Sequence, residues 1–161
     1  MRRPAAVAGS LLFLLVAPGL VVGVLPYWIT GWRAAPWWPP VRVAGGLLLA
    51  AGLAVLLRAF ARFVAEGAGT PSPAAPTEKL VVGGLYRWVR NPMYLAVVAA
   101  VAGQALLLGR PVLLAYGAAV AGAQALFVHG YEEPALRARY GADYDAYRRA
   151  VPAWLPRRPR Q

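Results

Sequence analysis

Residues 91–112 read NPMYLAVVAAVAGQALLLGRPV, and this stretch decides the fold. Pro92 to Gly109 is an uncharged run of 18 residues, roughly 27 Å at helical rise. Asn91 before Pro92 predicts a helix start. Asn is a good cap acceptor, and Pro at the first helical position gives up an amide that has no partner there. Gly109-Arg110-Pro111 turns the chain, and the uncharged run Val112 to Tyr131 leads back. So tight a turn forces an antiparallel hairpin. Glu132 and Glu133 must then return to the membrane face that holds Arg90 and Asn91. Two carboxylates, arginines and a helix N-terminus are thereby expected to meet, although they lie far apart in sequence.

Upstream of the run, Gly83-Gly84-Leu85-Tyr86-Arg87-Trp88-Val89-Arg90 is a glycine-hinged, cationic segment with aromatic faces. With the amides of the helix start, Arg87 and Arg90 suit an anionic ligand group. An interfacial collar of Arg, Trp and Tyr is the competing account of the same residues. Further back, Pro4 to Tyr27 is long enough to cross a bilayer, with Pro18-Gly19 expected to kink it. Trp28, Trp32, Trp37 and Trp38 fill a Pro-rich loop and read as an interfacial belt. A second span covers about 41–64, and Arg58, Arg62 and Glu66 follow one another on one helix face at its end. That row reads as snorkelling or as the wall of a polar site. Residues 67–76 read as a flexible loop.

After Glu133 the tail predicts two short helices. Leu136, Tyr140, Tyr144, Tyr147 and Val151 recur every three or four residues as an apolar, aromatic stripe. That stripe suits a helix lying on the membrane or a lid with inward tyrosines. Asp145 is expected to pair with Arg148 or Arg149, and Glu133 with Arg137. Gln104 and Gln124 are read as hydrogen-bond partners between helices, with a ligand contact as the alternative.

The sum is an all-α integral membrane domain over residues 1–161. It has four transmembrane helices (about 4–26, 41–64, 92–109 and 112–131) and two short cytosolic helices at the C-terminus. The 161 residues are 60% apolar and carry a formal charge of +11. The arginines sit at the ends of apolar runs, which favours lipid headgroups as partners and argues against nucleic acid. With no cysteine and His129 as the single histidine, neither a thiol nucleophile nor a metal centre is expected. On four spans only Arg33, Arg42 and Arg110 of the 17 Lys and Arg fall opposite the termini. Both termini are therefore expected in the cytoplasm, in an inner or cytoplasmic membrane.

The ordered set Leu80-Val81-Val82-Gly83-Gly84-Leu85-Tyr86, Arg90-Asn91-Pro92-Met93-Tyr94, Glu132-Glu133, Tyr140-Gly141 with Tyr144 and Tyr147, and Val151-Pro152 resembles the isoprenylcysteine carboxyl methyltransferases and the related phospholipid methyltransferases. The resemblance covers residues 78–156. It implies a membrane methyltransferase that binds S-adenosylmethionine on its cytosolic side and acts on a lipophilic acceptor, by carboxylate O-methylation or lipid amine N-methylation. It places the cofactor on Glu78, Lys79, Leu80, Val81, Tyr86, Asn91, Pro92, Met93, Tyr94 and Glu132. Arg90 joins them on physical grounds, as a cation for the cofactor's carboxylate. Glu133, His129, Arg87, Tyr144 and Tyr147 are the candidates for substrate contact or support. No catalytic residue is assigned. Asn91 and Glu78 stand where relatives carry His, and Val128 where the eukaryotic enzymes carry an Arg for the substrate carboxylate. His129 next to it is expected to compensate. Two rivals remain: a lipid reductase using NADPH on the same scaffold, and a non-catalytic membrane subunit.

Overall fold

A computed structural model describes residues 3–67 and 79–158. Among these residues every regular element is helical: α1 (Arg3–Gly19), α2 (Leu25–Thr30), α3 (Pro39–Gly67), α4 (Pro92–Leu108), α5 (Val112–Phe127), α6 (Glu133–Tyr140) and α7 (Ala142–Ala150). Three helical stretches are long and apolar enough to cross a membrane, Leu11–Thr30, Pro39–Glu66 and Val112–Tyr140. The fourth expected span, α4, is a shorter apolar helix of 17 residues, about 25 Å at helical rise.

Two π-helical turns make long helices out of what the sequence divides. One, Leu20–Val24, joins α1 to α2; the other, Val128–Glu132, joins α5 to α6. Each is followed by one residue and then a proline, Pro26 or Pro134. A proline has no N–H and its ring crowds the carbonyl four residues back, so an α-helix cannot pass it unchanged. Widening the turn ahead of it lets the helix continue. The amides of Leu25 and Glu133 now reach five residues back, to Leu20 and Val128. The expected break between the last span and the first tail helix is therefore absent, and the helix runs through Glu132–Glu133 to Tyr140. The irregularity expected at Pro18-Gly19 begins one residue later.

The first π-turn is pinned from outside. Pro26 brings no amide to it, and the carbonyls of Val21 and Val22 are open to other donors. Tyr116 Oη of α5 donates to Val21 O at 2.7 Å, and Gln104 Nε2 of α4 to Val22 O at 2.7 Å. Gln104 is thus the interhelical partner the sequence suggests.

Packing between α3 and α4 is close enough to exclude side chains. A Cβ at Gly52 would sit 2.9 Å from the Ala100 amide, and one at Gly103 2.8 Å from the Gly45 carbonyl. Lipid offers no hydrophobic drive between helices, so this backbone approach through small residues is what holds the pair. At the turn side, Ala35 N donates to Leu108 O at 2.8 Å and Arg110 Nε to Arg33 O at 2.8 Å, tying the two loops of that face together. Trp28, Trp32, Trp37 and Trp38 are all exposed there, as an interfacial belt requires.

Candidate functional site

The segment between α3 and α4 is anchored on Arg62 and Glu66 of the Arg58–Arg62–Glu66 row. Arg62 and Glu66 form an ion pair, and Gly83 N donates to Glu66 Oε2 at 3.1 Å. A side chain at Gly83 would run into both partners, and Gly84 follows at φ +58°, where glycine is favoured. Arg62 and Glu66 of that row thus hold the loop in place, and no residue of the row borders the cavities described below. A short 3₁₀ turn, Gly84–Arg87, then drives Tyr86 inward, where it is 5% exposed beside Phe63.

Arg90 sits at the centre of a latch. Its Nη1 donates to Glu133 Oε1 at 2.7 Å and to Tyr144 Oη at 3.1 Å, its Nε to Val151 O at 3.1 Å, and its amide to Pro152 O at 2.9 Å. Both charged side chains of the Arg90–Glu133 pair are 10% exposed. Glu133 also lies 3.3 Å from His129 Nδ1 and 3.6 Å from Arg148 Nη2. Tyr147 Oη donates to the Tyr86 carbonyl at 2.8 Å. Tyr144 and Tyr147 face inward and α7 closes over the loop, the lid arrangement that the stripe allowed. Burial pushes the phenols of Tyr86 and Tyr147 well above the ordinary tyrosine range, and the charge of Glu133 adds to burial for Tyr144. All three hydroxyls remain protonated at neutral pH.

Glu132 takes the other direction. Tyr94 Oη donates to its Oε2 at 2.8 Å. Of the two carboxylates expected near Arg90, it is Glu133 that meets it, not Glu132. Neighbours on a helix diverge by about 100°, so only one of the two carboxylates can reach the latch. Arg137 pairs with Asp145 at 2.8 Å instead of Glu133, which also takes Asp145 away from Arg148 and Arg149.

Asn91 does not cap α4. Its φ and ψ are −116° and 54°, no side-chain cap bond forms, and its Nδ2 donates to Ala153 O at 3.2 Å. The strand-like tail after α7 claims the side chain. Arg157 N also donates to Trp88 O at 3.0 Å, so residues 151–157 run alongside the loop before α4.

Two cavities meet here. The larger, of about 250 Å³, lies among α1, α3, α4 and α5 and is walled chiefly by apolar side chains such as Phe13, Phe60, Met93 and Val97. The smaller, of about 60 Å³, lies under the lid between Leu80, Val81 and Tyr147. Phe63, Tyr86, Arg90, Asn91 and Glu132 border both. Of the expected cofactor residues, Leu80, Val81, Tyr86, Arg90, Asn91, Pro92, Met93, Tyr94 and Glu132 line one or both. Lys79 is exposed and lines neither, and Glu78 lies outside the described residues. Arg87 is exposed and His129 largely so, and neither borders these cavities. His129 instead braces Glu133. Val128 is buried on the smaller cavity.

The Tyr86 hydroxyl is buried and has no hydrogen-bond partner. A phenol whose O–H is left dry and unpaired is costly, so this one fits a ligand group arriving between the two cavities. Sequence reasoning missed the walls that come from α1 and the π-turn after it, Phe13, Pro18 and Val21. It also missed Trp154, whose ring lies 6.4 Å from those of Tyr94 and His129. No periodicity marks these residues, since an apolar span that faces a cavity looks like one that faces lipid.

No curated protein and no solved structure matches the chain. The family model for phospholipid methyltransferases matches residues 41–143, from α3 through the loop, the helical hairpin and both glutamates into the start of the lid. With helices fit to cross a bilayer and a site built where that match runs, the chain belongs to the phospholipid methyltransferase family, a family of integral membrane methyltransferases.

Proposed function

We propose that the protein transfers a methyl group from S-adenosylmethionine to the polar end of a lipophilic acceptor at the junction of the two cavities. The observation that carries this reading is the junction itself. A chamber walled chiefly by apolar side chains meets a smaller one under the lid, and a buried unpaired hydroxyl and a carboxylate border both.

S-adenosylmethionine, when bound, supplies a methyl group activated on a sulfonium. The residues present fit its other groups. Glu132, steadied by Tyr94, is a carboxylate for its ammonium, and charge-assisted bonds of this kind are the strong ones. Tyr86 offers a donor, and Leu80, Val81 and Met93 offer apolar surface for a flat base. Arg90, expected to bind the cofactor's carboxylate, is engaged by Glu133, Tyr144 and Val151 and acts as a positioning residue. Phe13, Phe60 and Phe63 keep water from the acceptor, which favours a reaction in which charge is dispersed. Catalysis rests on holding two reactants in line rather than on a covalent intermediate.

The same reading keeps four crossings, with α4 as the short third, and both termini in the cytoplasm. The Lys and Arg asymmetry supports it. The family match favours neither the reductase nor the non-catalytic subunit. Incubating purified protein with methyl-labelled S-adenosylmethionine and a total lipid extract tests the proposal. Label should enter the organic phase, and with the cofactor held near its wild-type dissociation constant it should enter several-fold more slowly with Glu132→Gln. Label that stays wholly aqueous with the wild-type protein contradicts it.

A further inference from the structure

Gln124 lies in α5, eight residues before Glu132 on one continuous helix, so about 12 Å deeper at helical rise. Both residues line the 250 Å³ cavity. Most of the lining they share is apolar, with Phe13, Val21, Leu56 and Val97 among it. The Gln124 Oε1 is buried and has no hydrogen-bond partner. The other interior glutamine, Gln104, donates its Nε2 to Val22 O and leaves no buried atom unpaired. A buried carboxamide oxygen left without a donor destabilises the empty protein. A pure hydrocarbon ligand would leave it unpaired as well.

We propose that Gln124 is a specificity-determining contact for the methyl acceptor. It accepts a hydrogen bond from a hydroxyl or amide N–H that the acceptor carries between its reacting end and its hydrocarbon. The inference rests on the reading of the larger cavity as the acceptor site. An amphiphile with its head at Glu132 and its tail in the bilayer passes Gln124 where headgroup gives way to chain. Sites built to bond a substrate O–H or N–H discriminate strongly against analogues lacking it, because the protein group is then unpaired. The acceptor class is therefore a single- or double-chain amphiphile bearing such a donor, rather than an unsubstituted prenyl or alkyl chain.

The test compares a lysophosphatidylethanolamine, which carries a free hydroxyl, with its 2-deoxy analogue. Equilibrium binding to the purified full-length protein is the readout. The wild-type protein should prefer the hydroxylated probe by about five- to tenfold, the effect of one hydrogen bond. Gln124→Leu should abolish the preference while leaving S-adenosylmethionine affinity unchanged, and Gln124→Met serves if the leucine variant does not fold. Equal binding of the two probes by the wild-type protein, or a preference that survives both substitutions, overturns the inference. Titrating the same samples with S-adenosylmethionine separates the two readings. A preference without cofactor binding keeps Gln124 as an amphiphile contact and removes methyl transfer. Cofactor binding without a preference does the reverse.

Discussion

Glu132→Gln and Glu133→Gln are adjacent, chemically identical substitutions with opposite expected consequences. At Glu133 the carboxylate is paired with Arg90 at 2.7 Å, and both side chains are 10% exposed. Removing one partner of a buried pair costs about 3–5 kcal/mol, because the other charge is left uncompensated. Glutamine keeps an acceptor for Arg90 Nη1, and the guanidinium retains Tyr144 and the Val151 carbonyl, so we expect about 2–3 kcal/mol, below that range. The lid should loosen, and thermal unfolding in detergent should shift downward. At Glu132 the Tyr94 hydroxyl can still donate to a glutamine carbonyl, so stability should hold. The lost charge should weaken S-adenosylmethionine by about 1.5–3 kcal/mol, or ten- to hundredfold at 1.4 kcal/mol per decade. Calorimetric titration and thermal unfolding of both variants read the two effects separately. If Glu133→Gln leaves unfolding unchanged while weakening the cofactor as much as Glu132→Gln does, the division of labour drawn here is refuted.

Asn91→Asp distinguishes a cap from a tether: a capping role tolerates it, whereas the tether to Ala153 O sets a carboxylate against a carbonyl and should lower stability by about 1–2 kcal/mol, read by thermal unfolding. Gln104→Leu and Tyr116→Phe each remove a donor to the first π-turn and should cost about 0.6–1.7 kcal/mol; unchanged unfolding in the double variant contradicts that role. Tyr86 and Tyr147 have pKa values raised in the folded protein above the ordinary 10.0, mainly by burial. Their neutral forms stabilise the fold fully below pH 10, and that contribution declines as pH rises beyond it, since only the unfolded chain readily loses those protons. Unfolding followed from pH 8 to 11 should show the decline begin near pH 10, and Tyr147→Phe should shrink it.

The architecture was legible where composition and turn length suffice. The antiparallel hairpin through Arg110-Pro111 follows from span length alone, and it brings residues 132 and 133 to residue 90 as expected. What periodicity could not show was which carboxylate turns inward toward Arg90. That depends on the π-turn at Val128–Glu132, which rotates everything after it and which only Pro134 hints at. Asn91 reads as a cap because local sequence cannot reveal that Ala153, some sixty residues on, offers its carbonyl. Gln124 and Gln104 look alike in sequence. The difference between them is tertiary: Gln104 Nε2 meets the Val22 carbonyl, whereas Gln124 Oε1 is buried where no donor reaches it.

The central claim is that S-adenosylmethionine sits where the two cavities meet, and direct titration of the purified wild-type protein by calorimetry tests it. The account predicts saturable binding with one site per chain, weakened at least threefold by Tyr86→Phe, which removes the unpaired hydroxyl and nothing the protein itself uses. Absence of binding by the folded wild-type protein, or affinity untouched by both Tyr86→Phe and Glu132→Gln, contradicts it.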